Sequence, residues 1–559
     1  MSLCTATEDD LSPPATPPSS SSSTSTTTSH DNDHHRCSSP PHHPRLYTSY
    51  VDLSMGGSPQ KLMSRMDSSR LEYIWSVKDT FTQLNNKQQQ LLLSELLLCC
   101  DNQLLAFVHS LIAPKLKIDF LRQLPIELSL HILQYVNDPY TLTRASQVSV
   151  FWNMLLKDES IWKRMCQRHL ELQRRRQMSP HSTLPQLPIS KATTALSIRS
   201  FRHYYKRLYT IDGAWNKGGG KLTSCPNNIQ SSLVTSLQVQ DPFIVVGCDN
   251  HRIEVFDSIT GNHVRTLTGH EGGVWALQFV KVSEQETILV SGGCDRELRV
   301  WELNSGTLRH VLRGHSSTIR CLKMRDAQVA VTGSRDATLR IWDVQRGTLK
   351  HLCVGHQASV RCIDIHDNRV ASGSYDHTAR LWDMDTGECL QTFTGHHSQI
   401  YAVVFDGTRV MTGSLDSTIR VWSASSGQCL ATLQGHTSLV GHLQLLPSDP
   451  SLLVSGGSDG CLRVWDLDRY ECRHRISAHD NSVTCLQFDD RRILSGGSDG
   501  RVKLWDLETG TLVRTFTKPA RTVWKLQFND TKAVVVMQRS RATNRQTTAI
   551  ELHDFDILK

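Results

Sequence analysis

A repeat of 40–45 residues constrains this 559-residue chain more than any other feature. Its first mark is a histidine, preceded by glycine in five of six copies, and these histidines lie 45, 41, 40, 40 and 43 residues apart. Its second mark is an aspartate with a tryptophan six residues later. The six sets are His270/Asp295/Trp301, His315/Asp336/Trp342, His356/Asp376/Trp382, His396/Asp416/Trp422, His436/Asp459/Trp465 and His479/Asp499/Trp505. This period and these marks predict a mainly β fold built from four-stranded β-propeller blades.

Each copy also carries a Ser or Thr four residues before its aspartate, as Thr332 precedes Asp336. These side chains can hydrogen-bond in series with the histidine and the tryptophan, His315 and Trp342 in the second copy. Polar groups of this kind are buried at low cost only when they are paired. We therefore predict that the histidines and aspartates form structural networks and take no part in catalysis or metal binding.

Degraded repeats flank the six complete copies. In the unit before His270, Phe256 stands in place of the tryptophan, and residues 522–555 supply only three strands. A closed ring of blades leaves no free sheet edge, so we expect residues 219–225 to add the missing outer strand. One degraded, six complete and one shared unit predict eight blades, within a propeller domain spanning residues 210–559.

Composition narrows the classes of function. The net charge of +7 is too small to argue for nucleic-acid binding, and the 16 cysteines include no CxxC pair. The longest apolar run, residues 91–100, is short and contains Glu95, so we expect no membrane span. These features predict a soluble intracellular protein with buried free thiols, no bound metal and no cofactor.

The amino-acid composition of the chain before the propeller divides it into segments of different character. Residues 1–70 are rich in Ser, Thr and Pro and are predicted to be disordered, with Thr16-Pro17 and Ser39-Pro40 as candidate proline-directed phosphorylation sites. Residues 71–118 carry apolar side chains at helical spacing and more apolar surface than a few short helices can bury. We interpret them as a homodimerisation segment; the alternative is packing onto the domain that follows.

Residues 119–166 form a predicted compact helical unit, which resembles an F-box. The resemblance is carried by Leu124-Pro125-Ile126-Glu127-Leu128 at its start, by Val148-Ser149 with Trp152, and by a terminal Ile161-Trp162-Lys163. It implies docking on a Skp-family adaptor, which in turn binds a cullin; an ordinary helical bundle is the alternative. The implied adaptor-binding residues are Leu121, Leu124, Pro125, Leu128, Ile132, Leu133, Val148 and Trp152.

Residues 167–209 are predicted to be a polar linker followed by a helical stalk. Arg174-Arg175-Arg176 in the linker is either a nuclear localisation patch or a solvated face. We expect a nuclear location, with the cytoplasm as a further compartment.

Two positions in every blade are predicted to share one rim of the propeller: the residue five after the histidine and the residue before the aspartate. They read Trp275, Arg320, Arg361, Tyr401, Gly441, Thr484 and Cys294, Arg335, Tyr375, Leu415, Ser458, Ser498. The arginine four residues after the aspartate recurs in nearly every copy and so serves the repeat, whereas Arg320, Arg335 and Arg361 occur on neighbouring blades only. Clustered guanidinium groups repel one another unless an anion lies among them, and their fork matches phosphate oxygens. We predict a phosphate-binding pocket with aromatic walls.

From residue 71 to the C-terminus the chain resembles the archipelago-type F-box/WD-repeat substrate receptors of SCF ubiquitin ligases. The motifs that carry the resemblance are Gly273-Val274-Trp275, Ser317-Thr318-Ile319-Arg320-Cys321, Gly333-Ser334-Arg335-Asp336-Ala337-Thr338-Leu339-Arg340, Val360-Arg361-Cys362 and Gly373-Ser374-Tyr375-Asp376. The resemblance implies a non-catalytic subunit that presents regulatory proteins for ubiquitination and proteasomal degradation.

The same resemblance implies roles for single residues. Arg320, Arg335 and Arg361, helped by Tyr375, would bind the phosphothreonine of a Thr-Pro degron. Residues near a second acidic subsite would be Arg296, Ser317 and Thr318. Lys525 stands where the family has an arginine, which places one peripheral contact in question.

Three other functions stay open from the sequence. A scaffold of the β-subunit type would have a propeller without residues 119–166. A propeller enzyme would need acidic or nucleophilic side chains converging on the channel, where we find arginines and aromatic residues. A related receptor would read a doubly phosphorylated serine degron.

Overall fold

The computed structural model describes residues 68–116, 119–177, 200–225, 232–283, 285–446, 448–540 and 546–557. The chain divides into two compact units, Met1–Ser129 and Leu130–Lys559. Of the segment predicted to be disordered, residues 1–70, which we call the head, only residues 68–70 are among the described residues. Within the described residues no helix is long and apolar enough to span a membrane.

Nine helices are described before the propeller. They are α1 (Ser68–Gln83), α2 (Asn86–Leu98), α3 (Asn102–Leu116), α4 (Phe120–Gln123), α5 (Ile126–Leu133), α6 (Pro139–Ala145), α7 (Val150–Leu155), α8 (Glu159–Gln177) and α9 (Phe201–Lys217). Local sequence explains several starts: the side chains of Asp138, Ser149 and Ser200 accept hydrogen bonds from the first-turn amides of α6, α7 and α9.

The remaining 32 elements are strands. The first sixteen in the ring are β2 (Val234–Gln240), β3 (Phe243–Cys248), β4 (Ile253–Asp257), β5 (His263–Leu267), β6 (Val274–Lys281), β7 (Thr287–Gly293), β8 (Leu298–Glu302), β9 (Thr307–Leu312), β10 (Ile319–Met324), β11 (Val329–Ser334), β12 (Leu339–Asp343), β13 (Thr348–Cys353), β14 (Val360–His366), β15 (Arg369–Ser374), β16 (Ala379–Asp383) and β17 (Cys389–Phe393). The other sixteen are β18 (Ile400–Phe405), β19 (Arg409–Ser414), β20 (Ile419–Ser423), β21 (Cys429–Leu433), β22 (Val440–Leu446), β23 (Asp449–Gly457), β24 (Cys461–Asp466), β25 (Glu471–Ser477), β26 (Val483–Phe488), β27 (Arg492–Gly497), β28 (Val502–Asp506), β29 (Leu512–Thr515), β30 (Thr522–Phe528), β31 (Lys532–Ser540), β32 (Gln546–Asp554) and β1 (Lys221–Ser224).

The strands form eight antiparallel four-stranded sheets, which confirms the predicted eight-bladed propeller. Seven sheets take their strands in chain order, and the eighth has the order β1-β32-β31-β30. The outer strand that completes the last blade therefore comes from the segment before the first blade, as predicted. Lys221 pairs with Asp554 and Ser224 with Glu551 in this ladder.

Side chains lock neighbouring blades together. The Gln238 amide accepts a hydrogen bond from the backbone N of Phe279 (2.6 Å) and donates one to its carbonyl (2.8 Å). At the closing seam the Gln527 side chain accepts from the backbone N of Val239, 2.7 Å away. Because each glutamine side chain bridges two adjacent inner strands, these contacts fix the spacing of the strands.

Helix α9 reaches further than the predicted stalk, because it extends to Lys217. Trp215 on its last turn is 1% exposed and packs against Phe516, Phe528 and Phe555, with ring centroids 4.2–5.6 Å apart. The carboxylate of Asp212 pairs with Arg491 of the propeller at 2.9 Å. The helix is thus part of the propeller's hydrophobic core.

Helix α8 in turn packs on α9. Trp162 lies 5.9 Å from Tyr205 between ring centroids, and Glu159 accepts a hydrogen bond from the Ser200 hydroxyl at 2.8 Å. Residues 167–177 are helical, so the prediction of a linker beginning at 167 is wrong at that end. The end of the predicted F-box and the propeller are joined by packed helices, α8 and α9, which sequence polarity alone did not indicate.

Candidate functional site

The predicted polar networks are present in all six complete blades. In the second of them, His315 Nδ1 lies 2.8 Å from Asp336 Oδ2, its Nε2 lies 2.8 Å from Thr332 Oγ1, and Trp342 Nε1 donates to that same oxygen at 2.8 Å. Asp336 also accepts from the backbone N of Ser316. The network therefore ties the turn before β12 to the loop that enters β10.

The ionisation of these groups follows from their hydrogen bonds. Burial raises the pKa of Asp336, but the hydrogen bonds from His315 and Thr338 outweigh it and hold the pKa well below its usual range. Burial lowers the pKa of His396, two blades further along, despite its bond to Asp416. A neutral imidazole and an ionised carboxylate suit a structural role, in agreement with the sequence interpretation.

One residue in the innermost strand of each blade forms a β-bulge, which changes the direction of its side chain. The pairing register shifts across one residue near the start of the first strand in all eight blades. The bulged residues are Thr235, Trp275, Arg320, Arg361, Tyr401, Gly441, Thr484 and Trp524. Bulges re-aim side chains out of the regular pleat. The first predicted rim position is thus a bulge in every complete blade.

A backbone hydrogen bond holds the second rim position, the residue before the aspartate, close to the first, the residue five after the histidine. The amide N of Arg335 donates to the carbonyl of Thr318 at 2.9 Å, two residues before the bulged Arg320. The amide N of Tyr375 makes the equivalent bond to Ser359 at 3.0 Å. The prediction that the two positions share one rim is confirmed.

Arginine and aromatic side chains meet on this rim. The guanidinium carbon of Arg320 lies 4.8 Å from the ring centroid of Trp275, and that of Arg361 lies 5.9 Å from the ring of Tyr401. The rings of Tyr375 and Tyr401 are 5.2 Å apart. Burial, together with the neighbouring Tyr375, raises the pKa of Tyr401 to about 12, so its hydroxyl stays protonated.

Trp275, Arg320 and Arg361 line one cavity of about 410 Å³ within the ring of inner strands. Two further cations line it: Lys323 and Lys525. None of the described residues that line it is a carboxylate. Lys323 is paired with Asp364 at 3.4 Å. A space lined by four cations and, among the described residues, by no carboxylate suits the binding of an anion through charge-assisted hydrogen bonds.

Lys525 is the site residue that the sequence interpretation placed at the periphery. Burial lowers its pKa, and the nearby Arg361 lowers it further. It directly follows the bulged Trp524 of the last blade, so the register of the degraded repeat was the signal that could have placed it in the cavity.

The remaining predicted pocket residues are placed differently. Arg335 and Arg296 are exposed on the turns before β12 and β8, and Arg296 has a positive φ of 64°. Ser317 and Thr318 act here through their backbone: the carbonyl of Ser317 accepts from the Ser334 hydroxyl at 3.1 Å. The structure groups Trp275, Arg320 and Arg361 in the cavity, and it places these four residues on the loops of the rim.

The cavity offers little for covalent chemistry. Its thiols, Cys321 and Cys362, are half-buried. Desolvation raises the pKa of Cys321 to about 12 and also raises the pKa of Cys362 above its usual range. A protonated thiol is a poor nucleophile. The cavity is therefore suited to binding an anionic ligand.

The predicted adaptor-binding residues divide into two groups. Val148, Leu128 and Ile132 are 64%, 51% and 42% exposed, Pro125 is exposed, and Leu124 and Trp152 are half-buried. The assignment needs correction at Leu121 and Leu133, which are 0% and 3% exposed. Each of these two side chains is buried and is not available to a partner.

Two family matches agree with these observations. The model of the F-box-like family matches residues 121–168. The model of the WD domain, G-beta repeat, matches residues 261–302, 306–343, 347–383, 387–423, 427–466 and 470–506. The chain therefore contains an F-box-like region followed by six WD repeats. The repeat matches cover the six complete blades except for β29, the outer strand of the last of them. Most of the first blade and all of the last blade, where the marks of the repeat are missing, are unmatched.

The chain is similar to several curated proteins. It is 31% identical over 240 residues to Cell division control protein 4 of Saccharomyces cerevisiae, covering 41% of this chain and 29% of that protein. It is 35% identical over 202 residues to F-box/WD repeat-containing protein 7 of Drosophila melanogaster, covering 35% and 14%. It is 27% identical over 270 residues to Probable E3 ubiquitin ligase complex SCF subunit sconB of Talaromyces stipitatus, covering 44% and 38%. The alignments thus span well under half of these relatives.

A solved structure is also similar. The crystal structure of the computationally designed Ika8 protein matches with a TM-score of 0.53 and 33% identity, covering 59% of this chain and 99% of the designed one. That coverage is the size of the propeller. The archipelago-type identity suggested by the motifs is not established by these similarities; the relation to F-box/WD-repeat proteins is.

Helices α1–α3 expose many apolar side chains. Leu98, Tyr73 and Leu91 are 79%, 72% and 64% exposed, and α2 contains no buried residue. Helix α1 begins at Ser68, three residues before the predicted boundary. The apolar excess that the sequence predicted is present on the surface of these helices.

Proposed function

We propose that this F-box/WD-repeat protein is the substrate-recognition subunit of an SCF-type E3 ubiquitin ligase. One similar protein bears the name of a probable SCF subunit. The observation that carries the proposal is the cationic cavity of Arg320, Arg361 and Lys525 on a chain that also contains an F-box-like region. The chain holds a substrate and performs no catalysis of its own.

The ligand of the cavity, in this proposal, is a phosphothreonine followed by proline. The phosphate brings about −1.5 to −2 charges and accepts bidentate hydrogen bonds from guanidinium groups. Arg335 adds a third guanidinium from the rim, and Arg296, Ser317 and Thr318 bind a second acidic group of the peptide. The aromatic faces of Trp275, Tyr375 and Tyr401 pack against proline and its neighbours.

The partner of the F-box-like region is a Skp-family adaptor, which links the chain to a cullin. Exposed apolar side chains on an otherwise soluble chain mark a protein-binding surface. The residues that qualify are Leu128, Ile132 and Val148, with Leu124, Pro125 and Trp152 beside them in the sequence.

Helices α1–α3 make the protein a homodimer in this proposal, because their exposed apolar side chains need a partner surface. Two pockets in one particle would raise the avidity for multiply phosphorylated substrates. Sedimentation of the full chain with its adaptor tests this: the wild type is expected to be a dimer, and Leu91→Asp with Leu98→Asp a monomer. A monomeric wild type at micromolar concentration contradicts it.

We also propose a nuclear location, supported by the basic run at residues 174–176. Fluorescence microscopy of the wild type and of a variant with three alanines there measures it. Equal nuclear fractions for the two proteins would remove the role of this run.

The experiment that tests the receptor function separates its two halves. Leu128→Asp is expected to abolish adaptor capture and keep phosphopeptide binding, and Arg361→Ala is expected to do the reverse. Ile259→Asp, at an equally exposed apolar position on the first blade, should change neither. Peptides carrying phosphothreonine-proline or paired phosphoserines, titrated in parallel, distinguish the two classes of degron. Loss of both activities in either cavity or F-box variant contradicts the proposal.

A further inference from the structure

The chain contains a single Thr-Pro dipeptide, Thr16-Pro17, in its 559 residues. Ser-Pro occurs four times, with serines at positions 12, 39, 58 and 179. Thr16 precedes the first described residue by 52 positions. The chain therefore carries, in its own head, one copy of the dipeptide that the proposed function assigns to the ligand of the cavity.

Charge favours this segment over the other proline-directed sites. Residues 10–22 contain one carboxylate, Asp10, directly preceded by Glu8 and Asp9, and no lysine, arginine or histidine. Ser39 follows Arg36 closely, so the surroundings of Ser39-Pro40 lack this uniform sign. The cavity presents four cations and, among its described lining residues, no carboxylate. An acidic segment is attracted to such a surface before any specific contact forms.

We propose that residues 10–22, once phosphorylated on Thr16, are a ligand of the cavity that Arg320 and Arg361 line. This inference rests on the proposed function and adds a regulation of the same site. A proline-directed kinase transfers the γ-phosphoryl group of ATP to Thr16 Oγ1; the hydroxyl proton is lost as the new P–O bond forms, and ADP leaves. The phosphate then lies among Arg320, Arg335 and Arg361, and Pro17 packs on the aromatic side chains.

A ligand that belongs to the receptor competes with every other ligand. Because it is covalently attached, its effective concentration at the site is independent of the protein concentration. Phosphorylation of Thr16 therefore lowers the apparent affinity for substrates and makes the receptor responsive to the kinase. Removal of the phosphate restores the free cavity.

The first test uses peptides and the full, dephosphorylated chain with its adaptor. The probes are residues 10–22 with phosphothreonine 16, the same peptide without phosphate, and residues 33–45 with phosphoserine 39 as the matched control. An unrelated phosphothreonine-proline peptide serves as the reference. The phosphorylated 10–22 peptide is expected to bind about tenfold or more tightly than the other two head peptides, and to lose that margin on Arg361→Ala.

The outcomes separate this inference from the function on which it rests. If the reference peptide binds and the phosphorylated 10–22 peptide does not, the inference is wrong and the proposed function stands. If neither the reference peptide nor the phosphorylated 10–22 peptide binds, both the proposed function and the inference are wrong.

The second test uses the whole protein. The wild type and Thr16→Ala are treated with the same proline-directed kinase, and each is titrated with the reference peptide. The phosphorylated wild type is expected to show an apparent Kd at least about threefold higher than that of Thr16→Ala, because part of its cavity is occupied. Equal values, with Thr16 phosphorylation verified by mass spectrometry, overturn the inference.

Discussion

The guanidinium of Arg320 lies over the indole ring of Trp275, with 4.8 Å between its central carbon and the ring centroid. The indole N–H donates to Cys294 Sγ at 2.9 Å, which fixes the ring on the neighbouring blade. A binding arginine is thus held by an aromatic side chain before any ligand arrives, and pre-organisation of this kind lowers the entropic cost of binding.

This contact predicts a graded effect of substitutions at Trp275. A cation–π contact contributes about 0.5–2 kcal/mol, or roughly 2- to 30-fold in affinity. Trp275→Ala should weaken a phosphothreonine-proline peptide by that factor, whereas Trp275→Phe should retain most of the affinity. Calorimetric titration of both variants measures it, and equal losses for Ala and Phe would contradict the role of the ring.

Asp336 should behave as a structural residue although it directly follows Arg335. Its removal leaves the buried His315 without its acceptor, at about 1–3 kcal/mol. The backbone N of Ser316 also loses its acceptor, but it is exposed and can bind water instead. Asp336→Ala should therefore lower the urea midpoint clearly. Asp480→Ala, at a carboxylate whose side chain is 73% exposed, is the control and should change the midpoint little.

His442 predicts a pH dependence of stability. Burial in the channel lowers its pKa to about 3, with Lys525 and Arg361 acting in the same direction. Below about pH 6.5 the unfolded chain binds a proton at this residue that the folded chain does not, so its contribution falls as pH drops, by at most about 1.4 kcal/mol per pH unit. His442→Gln should reduce the loss of stability between pH 7 and pH 5. His203→Gln, at an exposed histidine, should leave that loss unchanged.

Trp215 should be essential for the packing of α9 in the propeller. Replacing a fully buried tryptophan by alanine costs about 3–5 kcal/mol. Trp215→Ala should lower the free energy of unfolding by this amount in urea melts. Tyr209→Ala on the same helix removes a side chain that is 55% exposed and should cost far less. Similar losses for the two variants would mean that α9 is not anchored through Trp215.

Much of the fold can be predicted from the sequence because the same residue pattern occurs in each repeat. Six copies of His, Asp and Trp predict the blades, and the missing strand of the last unit predicts the pairing of β1 with β32. The rim assignment of Arg320 also follows, since periodicity identifies which residues depart from the repeat.

Other features depend on packing that a single sequence does not show. The β-bulge at Arg320 and the inward position of Lys525 depend on register between strands. The burial of Leu121 and Leu133 could not be separated from the exposure of Leu128 by a helical pattern alone. The sequence predicts the helix but not its packing in the propeller core, because partners of Trp215 such as Phe555 lie more than 300 residues away in the sequence.

The most direct test of the account is a titration of one phosphothreonine-proline peptide, with and without its phosphate, against the wild type and Arg335→Ala. Loss of one charge-assisted contact is worth about 1.5–3 kcal/mol, or roughly 10- to 150-fold. We expect Arg335→Ala to weaken the phosphopeptide by that factor, to leave the unphosphorylated peptide almost unchanged, and to keep the melting temperature of the wild type. Equal affinity of the wild type and Arg335→Ala for the phosphopeptide would contradict the assignment of the pocket.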